Sequence, residues 1–197
     1  MPTELIREYF LDREELKKIQ MRIVLQAAPF MKGLKASALI IVPEHLLKET
    51  SYLLNMLSVS QVCLYRNKRK TVLFLYHEEM LQKLLNKREH MEFLRRYGYG
   101  CSDKQKMLKR LASRMAAYYC GQAEFPHEIG IFLGYPLKDI QGFIEHGGKN
   151  YLLSGYWKVY DNVEQTRELF ETYDKARERA VYQLLCGMSL REIAQAV

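Results

Sequence analysis

Cysteine is scarce and scattered in this 197-residue chain: the four thiols, Cys63, Cys101, Cys120 and Cys186, lie far apart and form no C-x-x-C pair. That spacing excludes a locally written zinc ribbon or thioredoxin-like redox pair. Long apolar runs are missing too. A stretch such as Ala38–Val42 is far too short to cross a bilayer, and the start, MPTELIREYF, lacks the apolar centre of a secretory signal. There is no G-x-S-x-G, no P-loop and no G-x-G-x-x-G following a strand, so no nucleophile or phosphate-binding motif is written locally. No repeat, low-complexity tract or linker divides the chain. The expectation is one domain over residues 1–197, reduced and cytoplasmic, large enough to bury a core without disulfides.

What is present is an ordinary globular composition, 48% hydrophobic and 27% charged, with a net charge of +7. The charge is concentrated. Residues 83–114 carry ten Lys/Arg against three Asp/Glu, and Arg66–Lys70 (RNKRK) adds four cations just upstream. Such a block can neutralise phosphates, steer an acidic protein, or form a solvated helix face. Arg95, Arg96, Lys109 and Arg110 are its candidate contact residues.

Periodicity and capping signals order the elements. Asp12 with Glu15 makes a capping box for a helix over 12–27 that Pro29 stops. Ala38–Val42 reads as a buried strand, and Pro43 opens a leucine-rich helix. Val62–Arg66 and Thr71–Tyr76 form a hairpin with a basic tip. Helices follow near 78–86, 88–97 and, capped by Ser102 with Gln105, up to Gly121. Pro126 and Pro136 each start a short helix, ended by Gly134 and by Gly147-Gly148. Tyr151–Tyr160 (YLLSGYWKVY) reads as a fourth strand. Asp161 with Glu164 caps a long helix, and Ser189 with Glu192 opens a last one. The sum is an α+β fold: a small, mostly antiparallel four-stranded sheet with about seven to nine helices, the helices of 162–197 packing on it or extending from it.

All five histidines neighbour a glutamate: Glu44-His45, His77-Glu78, Glu89-His90, His127-Glu128 and Glu145-His146. Adjacent helical residues point about 100° apart, so adjacency builds no dyad, and no H-E-x-x-H or H-x-x-x-H supplies a metal site. Four are assigned to the surface. His127, after Pro126 in a first helical turn, sits where exposed N–H groups lower an imidazole pKa, which makes His127 and Glu128 the catalytic candidates. Cys101 lies by a helix start in basic surroundings that favour thiolate. Tyr156, Trp157 and Lys158 combine aromatic faces with a cation, Trp157 for the core or for stacking a flat ligand. VYQLLCGMSLREIAQAV has the opening half of a helix-turn-helix, without a following recognition helix.

FPHEIGIFLGYPLKDIQGFIEHGGKNYLLSGYWKVY resembles the signature of domain of unknown function 3793, a family of anaerobic Firmicutes. APFMKGLKASALIIV resembles its first block, with Ala28, Pro29, Gly33 and Lys35 at matching places, so Lys35 joins the binding candidates. The resemblance implies no established reaction or cofactor, only a loose association with ferrous-iron uptake and flavodoxins. Family members often carry cysteine before the G-Y/C-W-K-V-Y motif. This chain has Leu152, Leu153 and Ser154 there, which weakens a family-wide cysteine site.

Three functional expectations follow. The first is a non-enzymatic accessory protein, linked to iron or flavodoxin-dependent electron transfer, docking an acidic partner through its basic segment. The second is an enzyme or ligand-binding protein with a pocket around His127 and the Tyr156-Trp157-Lys158 motif. The third is a nucleic-acid binder.

Overall fold

The computed structural model describes residues 14–100 and 103–196, together with Glu4 and Ile6. Its centre is a strand buried on both sides. In Lys70–Tyr76 (KTVLFLY, β3) every residue after Lys70 is buried. It is flanked antiparallel by Ser37–Pro43 (β1) and Ser60–Arg66 (β2), giving the order β1-β3-β2. Leu73 and Leu75 face one side of the sheet with Ala38, Ile40 and Val42, while Val72, Phe74 and Tyr76 face the other. The β2–β3 turn is tied by Asn67, whose Oδ1 accepts from the amides of Arg69 and Lys70, both at 2.9 Å.

Helices cover both faces. On the first lie Glu15–Met31 (α1) and Leu47–Met56 (α2), the latter following a 3₁₀ turn at Glu44–Leu46. The last turns of Val163–Leu185 (α8) and the short Leu190–Gln195 (α9) join them through Ala180, Val181, Leu184, Leu190 and Ile193. On the second face lie Glu78–Leu85 (α3), Arg88–Arg95 (α4), Lys104–Tyr119 (α5), Ile129–Phe132 (α6) and Leu137–Glu145 (α7). A buried hydrogen bond at 2.6 Å from Ser37 Oγ to the carbonyl of Phe132 ties α6 to β1.

The four-stranded sheet expected from the sequence is corrected to three strands plus a separate two-stranded hairpin. Leu153–Ser154 (β4) pairs antiparallel with Lys158–Val159 (β5), so YLLSGYWKVY folds back on itself instead of joining the sheet. Gly155 is the reason. A Cβ there would stand 2.4 Å from the Phe170 ring, so only glycine lets the turn press onto α8, where Trp157, Val159, Phe170 and Tyr173 form a small third core.

Other corrections concern helix ends. Pro29 lies inside α1, because Pro29, Phe30 and Met31 are buried and the helix runs on until Gly33 turns at φ +70°. Pro43 is both the last residue of β1 and the N-cap of the 3₁₀ turn Glu44–Leu46 that leads into α2, so it does stand where the helical run opens. Asp103 caps α5, its carboxylate accepting from the amides of Gln105 and Lys106. Asp12, Cys101 and Ser102, with the roles assigned to them, lie outside the described residues. Asp161 caps nothing: Asn162, at φ +49°, precedes α8, while Asp161 pairs with Lys138 at 2.8 Å. The Ser189–Glu192 capping box is present. No helix among the described residues is long and apolar enough to cross a membrane.

Candidate functional site

The α6–α7 corner and the β4–β5 hairpin enclose a cavity of about 340 Å³. Its walls are mostly apolar and aromatic: Phe125, Ile129, Tyr135, Ile140, Phe143 and Trp157. Sequence dictates this corner. Gly134 reverses the chain at φ +75°, Pro136 starts α7, and Gly130 lets α6 and α7 touch, since a Cβ there would lie 2.8 Å from Ile140. Tyr135 then stacks on Trp157 with ring centroids 4.8 Å apart.

Asp139, in the first turn of α7, fixes the opposite wall. It is 2% exposed, and its Oδ2 accepts from Trp157 Nε1 at 2.7 Å while its Oδ1 accepts from the amides of Tyr160 and Asp161 at 2.7 and 3.1 Å. A buried carboxylate needs such donors. Three N–H groups engage both of its oxygens and lock the hairpin to α7. Sequence reading missed Asp139, as it missed Phe125, Tyr135 and Phe143; only Trp157, whose buried N–H requires a partner, hinted that an acceptor must exist.

Besides Asp139 and the Tyr135 phenol, three polar side chains among the described residues remain at the cavity: His127, Lys158 and Ser154. The His127 ring packs between Phe125 and Phe143, at 5.3 and 4.9 Å, and receives no hydrogen bond from the described residues. Burial holds its imidazole below the usual range, against the opposing pull of Glu128 and Glu124. The helix-dipole explanation is corrected, because His127 lies in a turn before a helix of only four residues. Lys158 Nζ donates to the carbonyl of Gly148 at 2.5 Å and lies over the rings of Tyr151 and Phe143, at 4.7 and 5.7 Å. Both groups thus share Phe143. An uncharged imidazole beside an ammonium can accept a proton from, or hydrogen-bond to, a molecule whose negative end sits on the lysine.

Glu128 does not join them. It is 0% exposed and turns inward to pair with Arg114 and accept a hydrogen bond from Tyr99 at 3.1 Å. His127 and Glu128 therefore serve different places, and Glu128 is no partner for a proton relay. Tyr156 also points elsewhere, donating to Asp174 at 3.1 Å with Arg177 over its ring. Burial raises its phenol to about 12. Lys35 stands behind the cavity wall, its Nζ 5.3 Å from the Tyr135 ring and 5.7 Å from Tyr173, and burial lowers it to about 8.

Two of the four histidines assigned to the surface are not there. His90 is buried, with Nδ1 2.8 Å from the carbonyl of Leu84, and His77 stacks on Phe30 at 4.2 Å. Cys63, Cys120 and Cys186 are free and exposed. Arg95, Arg96, Lys109 and Arg110 lie on α4, its C-terminal turn and α5, away from the cavity walls; the Arg110 guanidinium donates to the carbonyl of Tyr97 at 2.6 and 2.9 Å. In α9, Leu190 and Ile193 face the core, and Lys32 Nζ donates to the carbonyls of Ile193 and Ala196, both at 2.6 Å. That helix is bound into the molecule.

Residues 23–194 match the profile of the family described as protein of unknown function, DUF3793. No curated protein and no solved structure matches the chain.

Proposed function

The chain belongs to the DUF3793 family, and we propose that it is a small-molecule-binding protein whose site is the cavity between the α6–α7 corner and the β4–β5 hairpin. The carrying observation is the enclosure of about 340 Å³ by aromatic walls with His127, Ser154 and Lys158 at its edge. Ligand sites have this form, an apolar concavity with a few convergent polar groups. Its walls are held from behind by Asp139, so the cavity is preorganised. The test uses 8-anilino-1-naphthalenesulfonate as probe. Saturable one-to-one binding to the folded protein is expected, weakened at least tenfold by Ser154→Phe, which fills the cavity from its exposed rim. Absence of saturable binding, or binding indifferent to Ser154→Phe, defeats the reading.

A second reading keeps the acidic partner, of the flavodoxin kind, in an iron or electron-transfer setting. Arg95, Arg96 and Lys109 are exposed and make no ion pair with a carboxylate among the described residues, whereas Arg88, Lys104, Lys106 and Arg114 do. Unpaired cations favour steered docking. Reversing Arg95, Arg96, Lys109 and Arg110 to Glu abolishes low-salt retention on an immobilised acidic flavodoxin if this reading holds. Unchanged retention, or a salt-sensitive shift of duplex DNA in place of retention, replaces it.

A further inference from the structure

The cavity's charges say what kind of molecule fits, granted the binding reading above. Among the described residues its lining ionisable groups besides Tyr135 are His127, Asp139 and Lys158. Asp139 is spent: both oxygens accept N–H donors of the hairpin and the following turn, and it belongs to the first turn of α7, where the helix dipole favours a negative charge. It has little attraction left for a cation inside the cavity. His127 is desolvated between two aromatic rings, so its neutral form prevails.

Lys158 is the remaining charge. Of its three N–H donors one is given to the Gly148 carbonyl, and no carboxylate among the described residues pairs with it. Two donors and a full positive charge are left against two aromatic faces, Tyr151 and Phe143. A cationic ligand meets that charge with nothing to offset it. A neutral ligand covers the ammonium without matching it, which costs desolvation. A phosphate-type dianion wants several donors converging on it, commonly including arginine, and no arginine among the described residues lines this cavity. One lysine suits one negative charge.

Shape narrows the choice further. The space lies near the lower end of the range for ligand pockets, too small for a dinucleotide. Tyr135, Trp157, Phe125 and Phe143 give the cavity aromatic walls suited to a flat molecule.

We infer that the cavity takes a planar aromatic monocarboxylate of one or two rings, its ring system against the aromatic walls and its carboxylate on Lys158, with the His127 imidazole beside it. The test titrates three probes of nearly equal shape calorimetrically: 2-naphthoate, 2-naphthamide and the 2-naphthylmethylammonium ion. The acid binds at least tenfold tighter than the amide and the cation binds weakest. In Lys158→Met the ratio of acid to amide affinity falls toward one, a ratio that needs no comparison of absolute affinities between variants. Binding of all three with equal affinity, or an acid preference that survives in Lys158→Met, overturns the carboxylate assignment and leaves the cavity as a binding site. If none binds and the sulfonate probe also fails, the binding reading falls with it.

Discussion

Lys35 shows how a single side chain can work against the fold that holds it. Its ammonium lies between the rings of Tyr135 and Tyr173 with no carboxylate partner among the described residues, and burial lowers it from 10.5 to about 8. Loss of water would cost the charged form about 3 kcal/mol for complete burial. Two ring contacts return roughly 0.5–1 kcal/mol each, and partial exposure reduces the cost further, so a net penalty of about 1 kcal/mol remains at pH 7. The sign in pH follows. Below about 8 both folded and unfolded chains carry the proton and the penalty is complete; between about 8 and 10.5 the unfolded chain binds more protons, so stability contributed here rises with pH until the penalty is gone. The facing phenols do not interfere, since burial raises Tyr135 to about 12 and Tyr173 also upward. Lys35→Met should therefore stabilise the protein by about 1 kcal/mol at pH 7 and by less at pH 9.5 in urea titrations. A variant gain that is equal at both pH values contradicts this account. At the same scale the sequence was a partial guide: it marked His127, Trp157 and Lys158, which line one cavity, but tied Glu128 and Tyr156 to them, although Arg114 and Asp174 hold those two elsewhere. Partners 14 and 18 residues away leave no local pattern to read.

Among the elements, the hairpin and α7 form the unit on which the cavity depends. Their joint is one carboxylate with three donors, and replacing an acceptor oxygen by an amide turns an attraction into a clash of donors. In Asp139→Asn, one oxygen still serves the amides of Tyr160 and Asp161 while the new NH₂ confronts Trp157 Nε1. Bonds to charged acceptors are worth about 1.5–3 kcal/mol, so a loss of about 2–3 kcal/mol is expected. Trp157 is the only tryptophan, at 8% exposure, and its emission should shift to the red as the hairpin loosens. An unchanged emission maximum with unchanged stability would show that the carboxylate does not hold the wall. Why the hairpin read as one strand is visible in YLLSGYWKVY itself. Aromatic and β-branched residues carry a high strand propensity, and the interior Gly155 was the only sign of a bend. Helix starts were more legible, because Pro136 and the Ser189–Glu192 box act through neighbours within one turn. Asp161 failed as a cap because Lys138, from another helix, captured it.

The whole molecule is built outward from β3, and this ordering has consequences for how it opens. Each β3 residue from Lys70 to Tyr76 has a cross-strand partner in β1, and all but Lys70 have one in β2, while both faces of the strand are covered by helices. Its amides cannot meet water unless one flank and one layer leave together, which amounts to global unfolding. The hairpin β4–β5 has only two paired positions and packs on a small cluster at the side. It can open while the sheet stays intact. The sequence conveyed the composition of this arrangement, since KTVLFLY is the continuous apolar run of a strand buried on both faces. It did not convey the count of strands, because pairing between distant segments is decided by tertiary packing. Native-state hydrogen exchange separates the two levels. Amides of Val72–Leu75 should exchange at the free energy of global unfolding and show the full urea dependence, whereas those of Leu152 and Gly155, which donate to the carbonyls of Val159 and Trp157, exchange through a local opening with little urea dependence. Phe74→Ala, removing a fully buried ring, should lower β3 protection by about 3–5 kcal/mol, in step with global stability. Asp139→Asn should lower hairpin protection by more than it lowers that of β3. Hairpin amides as slow as those of β3, with the same urea slope, would mean that the cavity wall opens only when the sheet does. In that case ligand entry could not proceed through local opening of the hairpin.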